Sequence, residues 1–333
     1  MTALSSISHP AKLTIERQIT YASHRSGWRH AQASIAPLLR GDGAGVLLDT
    51  MIERNFAREH SVALVEGRVP YRRPWVAFVH VPPDLPEWFD SRKSFREIAQ
   101  LPAWRESWPH CRGLFTLSRT MQRWLAARVD VPVVALHHPT EFPEVRFDWD
   151  EYMRHGQRVV QVGWWLRRLA AIYFLAIPAH RKAVLVPQAG AGLVRFEALL
   201  RAEIEKSGSP PLGEWGIAAI PHVPNDEYDL LLSSSVVFLN LHGAVANNAI
   251  IECIVRATPV LVNSLPSVRE YLGEDYPLFY SSMDEAAAKA SDPALVRAAH
   301  EYLKAMDTSF LSGETFCRRM AGSEIYRSLP TLP

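Results

Sequence analysis

The sequence predicts an α/β protein, and three features of the chain support that class. Short runs rich in Val, Ile, Leu and Phe alternate with longer amphipathic stretches, which is the pattern of a parallel sheet covered by helices. The 333 residues are 48% hydrophobic, enough to bury a large core. A chain of this length usually divides into domains of roughly 150 residues. We therefore expect two α/β domains.

Apolar runs in the first half predict four strands, at 13–21, 75–81, 113–117 and 131–136. Ser118 follows the third run, and its hydroxyl suits the N-cap of a helix. Pro82, Pro83 and Pro86 predict an extended loop after the second strand.

The second half repeats the pattern, with predicted strands at 158–162, 183–187, 217–220, 236–239 and 259–262. The segment 137–155 has no clean periodicity and is interpreted as a connection. We therefore predict an N-terminal domain over 1–155, a C-terminal domain over 156–312 and a final helix over 313–333 that returns toward the first domain. Two successive α/β units favour two Rossmann-like domains that face each other across a cleft.

Charge, cysteines and motifs exclude several classes of protein. With 36 Lys+Arg against 35 Asp+Glu, the net charge of +1 argues against a nucleic-acid partner. Cys111, Cys253 and Cys317 have no CxxC spacing, so we expect no disulfide framework or structural zinc, and a cytoplasmic location. No apolar run is long enough for a signal peptide or a transmembrane segment, and peripheral membrane contact stays open. HExxH, GxxxxGK[ST], GxSxG and DxDxDG motifs are absent.

The most informative stretch, 228–280, reads YDLLLSSSVVFLNLHGAVANNAIIECIVRATPVLVNSLPSVREYLGEDYPLFY. It predicts a strand, a small-residue loop, a helix carrying Glu252, a second strand in TPVLVN and a turn in LPSVREYLG. This order resembles the C-terminal half of retaining GT-B glycosyltransferases that use nucleotide sugars, of the family 1 and family 4 type. The resemblance covers most of the second domain and, loosely, the first.

The resemblance implies that Glu252 accepts hydrogen bonds from the ribose of the nucleotide. Its setting in IIECIV favours a ligand role over that of a solvated helical Glu, because an unpaired carboxylate is costly among apolar residues. One carboxylate can also bind both hydroxyls of a cis-diol. The family pattern has another acidic residue seven positions earlier, where this chain has Val245.

A second match is VQVGWWLRRLAAIY at 160–173, where a strand ends in Gly163. The resemblance implies that a basic residue in the following loop binds the donor diphosphate, and Arg167 and Arg168 match in kind. The planar guanidinium binds phosphate oxygens bidentately. Lys182 is a candidate for a further cation, and an Arg pair on the surface of a helix is the alternative interpretation.

Asn247 and Asn248 lie at the predicted start of the helix that carries Glu252. Backbone N–H groups at a helix start favour an anion, and the two amides could bind sugar or phosphate. Each could instead serve as a helix cap.

In the first half, His80 ends the strand WVAFVH, at the edge of the sheet where α/β proteins bind ligands. It is the candidate for acid–base catalysis, and a purely structural histidine is the alternative. Asp84 and Glu87, on the following loop, are further candidates on the acceptor side. Gly27 and Trp28, in SHRSGWR, resemble the GT-B loop that lies under donor and acceptor.

The leading hypothesis is a metal-independent glycosyltransferase that moves a sugar from a nucleotide-diphosphate sugar to a hydroxyl of an acceptor, with retention. GT-B enzymes neutralise the departing diphosphate with protein cations and helix dipoles, so we expect no metal and no cofactor besides the donor substrate. A catalytically silent GT-B-like binding module and a nucleotide-sugar epimerase on the same fold are the alternatives. Donor base, sugar, acceptor and oligomeric state stay open.

Overall fold

A computed structural model of the chain describes residues 10–15, 25–86, 89, 91–206 and 216–331. It divides into two compact units: Met1–Glu141 with Ser309–Pro333, and Phe142–Thr308. The predicted boundary at 155 lies too far along the chain, because the segment before it is bound to the second unit. The Phe147 N–H donates to the Arg256 carbonyl (2.9 Å), and the Asp148 N–H donates to the Ser233 carbonyl (2.8 Å).

The strands in the described part of the chain are β1 Leu13–Thr14, β2 Val46–Asp49, β3 Trp75–Val79, β4 Cys111–Thr116, β5 Val133–Ala135, β6 Val159–Gln161, β7 Lys182–Leu185, β8 Ala218–Ile220, β9 Val236–Leu239, β10 Val260–Asn263 and β11 Phe279–Tyr280. The α-helices there are α1 Trp28–Ser34, α2 His60–Val65, α3 Phe95–Ile98, α4 Pro102–Ser107, α5 Arg119–Ala126, α6 Trp149–Arg154, α7 Ala171–Phe174, α8 Ala191–Lys206, α9 Asn225–Ser233, α10 Asn248–Arg256, α11 Pro266–Leu272, α12 Met283–Ala290, α13 Pro293–Ala305, α14 Gly313–Ala321 and α15 Glu324–Ser328.

The first unit is built on a parallel sheet in the order β1-β2-β3-β4-β5. Strand β2 is absent from the sequence prediction. The predicted strand 13–21 is a strand only at Leu13–Thr14, and its residues 16–21 lie outside the described ones. Trp75, Phe78 and Phe115 are fully buried in the core of this unit. As predicted, the Ser118 hydroxyl caps α5 by accepting from the Met121 N–H (3.2 Å).

The C-terminal segment belongs to the first unit from Ser309 onward. Helix α14 packs against α1, and α15 packs against β4 and β5. The buried ammonium of Lys12 donates hydrogen bonds to three carbonyls at the end of the segment, those of Tyr326 (3.2 Å), Arg327 (3.2 Å) and Leu329 (2.7 Å). These bonds anchor the end of the chain beside β1.

The second unit has a parallel sheet in the order β11-β10-β9-β6-β7-β8. Its first strand, β6, lies between β7 and β9, so the strand order reverses there. In open α/β sheets, ligands bind at the carboxyl ends of the strands beside such a reversal. Among the described residues, no helix combines the length and apolar character needed to cross a membrane.

Candidate functional site

Two loops of the second unit meet where the strand order reverses. We call them the reversal loops: residues 163–168 after β6 and residues 240–248 after β9. The Arg168 N–H donates to the Asn240 carbonyl (2.8 Å), and the His242 N–H donates to the Leu166 carbonyl (2.9 Å). Arg167 also forms an isolated antiparallel bridge with Leu241. The reversal loops therefore form one continuous surface.

Gly163 lets the Arg167 guanidinium pack directly against the backbone. Its φ is +71°, and a Cβ at this position would lie 2.8 Å from Arg167 Cζ. Arg167 is 8% exposed and donates to the Trp165 carbonyl (2.9 Å) and to Asn247 Oδ1 (3.4 Å). Burial lowers the pKa of Arg167 to about 10, and electrostatic interactions with Tyr228 and Glu252 act in the opposite direction. Gly163, Arg167 and Asn247 thus lie together, and Arg167 interacts electrostatically with Glu252.

Glu252 is 3% exposed on α10, and Tyr228, on the adjacent helix α9, hydrogen-bonds with its carboxylate. Burial and then the charge of Glu252 raise the pKa of Tyr228 well above its ordinary value, so its hydroxyl stays protonated. A neutral hydroxyl donates to the carboxylate and orients it. Sequence analysis missed Tyr228, because one tyrosine on an amphipathic helix looks like ordinary packing.

Arg256 lies one turn further along α10 and is fully buried. Its guanidinium pairs with the buried Asp229 carboxylate of α9 and donates to the Glu252 carbonyl (2.8 Å). This pair joins α9 to α10 directly behind Tyr228 and Glu252. It holds the two helices in register.

The two asparagines lie at the start of α10. Asn247 is the N-cap: its Oδ1 accepts from the Ile250 N–H (3.3 Å) as well as from Arg167. Asn248 is the first helical residue. The cap interpretation therefore applies to Asn247, which also belongs to the Arg167 cluster. Val245 is 1% exposed, so an apolar side chain buried in the loop takes the place of the acidic residue of the family pattern.

Arg168 is the exposed cation of the reversal loops. Its charge acts on both His242 and Tyr280: burial raises the pKa of Tyr280, and Arg168 opposes that rise. Burial and then Arg168 lower the pKa of His242 to about 4, so its imidazole is neutral near pH 7. Arg168 thus offers a charge to solvent beside a neutral hydrogen-bonding ring.

In the first unit, His80 follows β3 and touches Trp28, with ring centroids 4.4 Å apart. Trp28 also stacks on His138, which follows β5 (5.5 Å, 10° between planes). His80 Nε2 lies 2.8 Å from the Thr50 carbonyl. Because a carbonyl only accepts, Nε2 carries the ring proton and Nδ1 is the acceptor. Burial lowers the pKa of His80 to about 4, so the ring is neutral near pH 7.

Glu53 follows β2 and accepts from the backbone N–H groups of His80 (2.7 Å) and Val81 (2.9 Å) through Oε1. We call Trp28, Glu53, His80 and His138 the histidine edge, because they gather at the carboxyl ends of β2, β3 and β5. The sequence analysis singled out His80 and Trp28 but missed Glu53 and His138. Gly27 is buried and is the N-cap residue of α1, which begins at Trp28.

Lys182 is a correction to the sequence analysis. It is the first residue of β7, at the end of the strand opposite to the reversal loops. Its ammonium donates to the carbonyls of Tyr173 (3.1 Å) and Leu175 (2.9 Å), and burial lowers its pKa. It is a structural lysine, because its charge is directed at backbone carbonyls.

Asp84 and Glu87 are the other acceptor-side candidates from the sequence. Asp84 has a side chain that is 78% exposed and pairs with Arg96 (3.2 Å), which is the arrangement of an ordinary surface ion pair. Glu87 lies outside the described residues. Within the described ranges, no group of three His, Cys, Asp or Glu side chains is arranged to hold a metal ion.

Comparison with known proteins identifies the fold. No protein-family model and no curated protein matches the sequence. Solved structures do match, with TM-scores above 0.5. Anabaena Alr3699/HepE in complex with UDP and glucose aligns with a TM-score of 0.63 and 13% identity, over 94% of this chain and 98% of that chain. A UDP-forming α,α-trehalose-phosphate synthase from Burkholderia vietnamiensis aligns with a TM-score of 0.53 and 16% identity, over 90% and 76%.

A mutant of S. aureus TarM in complex with UDP aligns with a TM-score of 0.55 and 13% identity, over 77% of this chain and 51% of that chain. The chain has the GT-B glycosyltransferase fold. Its five-stranded and six-stranded parallel sheets are the two Rossmann-like GT-B domains, as the sequence predicts. The reversal loops lie in the C-terminal GT-B domain and the histidine edge in the N-terminal one.

Proposed function

We propose that the protein is a metal-independent glycosyltransferase that moves a sugar from a nucleotide-sugar donor to an acceptor hydroxyl, with retention. The observation that carries the proposal is the Arg167–Asn247–Glu252–Tyr228 cluster at the reversal of the C-terminal sheet. The GT-B fold and the solved HepE complex with UDP-glucose support it. A UDP-sugar is therefore the first donor to test.

Glu252 is the ribose ligand in this proposal. The Tyr228 hydroxyl hydrogen-bonds with the Glu252 carboxylate, which has about four lone-pair positions. One carboxylate can bind both hydroxyls of a ribose diol. Tyr228 reduces the side-chain freedom that binding would otherwise have to remove.

The departing diphosphate is stabilised by Arg168 and by the start of α10. Arg168 is exposed and so can approach phosphate oxygens, whereas the buried Arg167 orients Asn247. The free N–H groups and the dipole at the helix start favour the negative charge that develops as the diphosphate leaves. Preorganised groups of this kind make the largest contribution to catalysis in many enzymes.

His80 contacts the transferred sugar or the acceptor hydroxyl. Its neutral ring, with the proton on Nε2, presents Nδ1 as an acceptor for a hydroxyl proton. Gly27 and Trp28 adjoin it on the acceptor side. In this role, His80 orients the hydroxyl and accepts its proton at Nδ1.

The testing experiment is a thermal-shift screen with UDP, GDP, ADP, CMP and dTDP and their sugar conjugates. A ligand at about 100 times its Kd adds about 2.7 kcal/mol of stability. We expect a selective shift for the wild type, a reduced shift for Glu252→Ala and Arg168→Ala, and a full shift for Glu197→Ala, an exposed control on α8. Absence of any shift in the wild type contradicts a nucleotide-sugar site.

Product analysis then tests the reaction. A transferase forms product only when both donor and acceptor are present, whereas an epimerase changes the donor alone. The second candidate function is a binding module without turnover, and the buried Val245 favours it, since the family pattern has an acidic residue there. Donor binding without product under either condition would support that module.

A further inference from the structure

Glu53 is a buried carboxyl group at the histidine edge that the proposed reaction has not used. It is 4% exposed and lies just beyond β2, before a π-helical turn at Arg54–Arg58. Oε1 accepts two consecutive backbone N–H groups, those of His80 and Val81. Oε2 is buried and has no hydrogen-bond partner among the described residues.

The segment from Thr50 to Glu53 holds His80 at two points. The Glu53 carboxylate binds the main chain of the turn that carries His80, and the Thr50 carbonyl binds the ring at Nε2. Trp28 packs edge-on against the same ring. The direction of Nδ1 is therefore set by a chain of contacts in which Glu53 fixes the backbone.

The carboxyl group of Glu53 titrates near neutral pH. The pKa of Glu53 is raised to about 7, chiefly by burial; backbone N–H groups, including those of His80 and Val81, oppose the rise, and the charge of Asp49 adds a smaller one. Asp49, at the end of β2, is the titratable group whose charge acts on Glu53, and the contact of Glu53 with His80 is through the His80 backbone N–H. Bonds from N–H groups to a charged carboxylate are about twice as strong as those to a neutral group.

We propose that Glu53 is a positioning residue for His80: its carboxylate fixes the turn after β3 and couples its own protonation to the geometry of the imidazole. Protonation of Glu53 weakens both N–H bonds and loosens the turn. The role of this coupling in sugar transfer rests on the proposed function of His80. The coupling itself is a property of the first unit and is measurable without substrate.

The test is a pH titration of the histidine ring signals by NMR, in protein labelled with ¹³C at histidine. The His80 signal is assigned by its loss in His80→Gln. In the wild type we expect it to shift with a midpoint near pH 7, which is the pKa of Glu53 and well above that of His80 at about 4. In Glu53→Gln this inflection should vanish, while Glu66→Gln, an exposed control, should retain it.

Glu53→Gln keeps one acceptor oxygen for both N–H groups, so it preserves the fold and removes only the titration. Glu53→Ala removes the acceptor as well and should move the His80 signal at every pH. An inflection near pH 7 that persists in Glu53→Gln, or that is absent from the wild type, overturns the proposal.

Kinetics separate this proposal from the proposed function. With the donor found by the screen, Glu53→Gln should lower kcat about tenfold near pH 8, leave the donor KM unchanged and remove the limb of the pH profile near 7. If no nucleotide binds the wild type, the proposed function fails while the NMR coupling stands. If turnover is normal and Glu53→Gln keeps the wild-type pH profile, the positioning role fails.

Discussion

The candidate sites of the two GT-B units differ in the charge of the side chains that form them. In the second unit, the reversal loops and helix α10 bring together charged side chains, such as Arg167 and Glu252, which are held by neutral partners. The histidine edge of the first unit presents a neutral imidazole that is held by a carbonyl and a tryptophan ring. The first arrangement suits a charged leaving group, and the second suits the hydroxyls of a sugar or an acceptor. The roles that we propose for the two sites therefore differ in the charge that each site presents.

The strongest test of this comparison is the buried ion pair behind the reversal loops. Asp229→Ala leaves the fully buried Arg256 charge uncompensated, so we expect the free energy of unfolding to fall by about 3 to 5 kcal/mol. Urea denaturation measures the loss. Glu151→Ala, which breaks an exposed pair with Arg154, should cost less than about 1 kcal/mol. Equal losses in the two variants would mean that buried charge does not support the second unit.

The first unit should respond to pH through Glu53. Its pKa rises from 4.5 in the unfolded chain to about 7, so its contribution to stability is fully present below pH 4.5 and is lost as pH rises through 7. In urea denaturation, the free energy of unfolding of Glu53→Gln relative to that of the wild type should therefore rise by about 2.5 kcal/mol between pH 5 and pH 8.

His80 acts in the opposite direction, because its pKa is lowered to about 4: its contribution is present above pH 6.5 and is lost as pH falls through 4. The contribution of His80 is the same in Glu53→Gln and in the wild type, so it cancels when their free energies of unfolding are subtracted. A constant difference between the two proteins across pH 5 to 8 would show that Glu53 does not titrate in this range.

Substitution of Lys12 tests whether its hydrogen bonds anchor the C-terminal segment to the first unit. Lys12→Met leaves three carbonyls without their charged donor and should cost about 2 kcal/mol in urea denaturation. Lys304→Met, which removes an exposed lysine of the second unit, should change stability by less than about 0.5 kcal/mol. A loss as small as that of the control would rule out the anchor.

Among these variants, we expect substitution of Gly163 to have the smallest effect on stability and the most specific effect on nucleotide binding. Gly163→Ala places a methyl group against the Arg167 guanidinium, so we expect nucleotide affinity to fall at least about tenfold, with about 1 to 2 kcal/mol lost in stability. Gly156→Ala is the matched control, because its φ of +67° is similar and nothing lies within 4 Å of the added Cβ. Similar affinities in the two variants would remove Arg167 from the site.

The fold could be predicted from the sequence because its signals are local, and the same is true of which residues lie close together in the second unit. Gly163 and Arg167 lie within one short stretch, as do Asn247 and Glu252, so spacing alone groups each pair. Glu53 acts on a backbone 27 residues away, and nothing near it in the sequence indicates that contact. Lys182 was misassigned for a related reason: nothing near it in the sequence indicates that its ammonium donates to the carbonyls of Tyr173 and Leu175. Strand β2 was missed because Val46–Asp49 is only one short apolar run.

The anchoring of the last residues beside β1 has a consequence for synthesis of the chain. Residues 142–308 form the second unit, whereas α14 and α15, which complete the first, are made last. Since domains generally fold as units while the ribosome works from the N-terminus, the second unit can finish folding while the first still waits for its final helices. A premature stop after residue 308 would therefore spare the C-terminal GT-B domain and leave the N-terminal one incomplete, although every residue of its sheet would already be present.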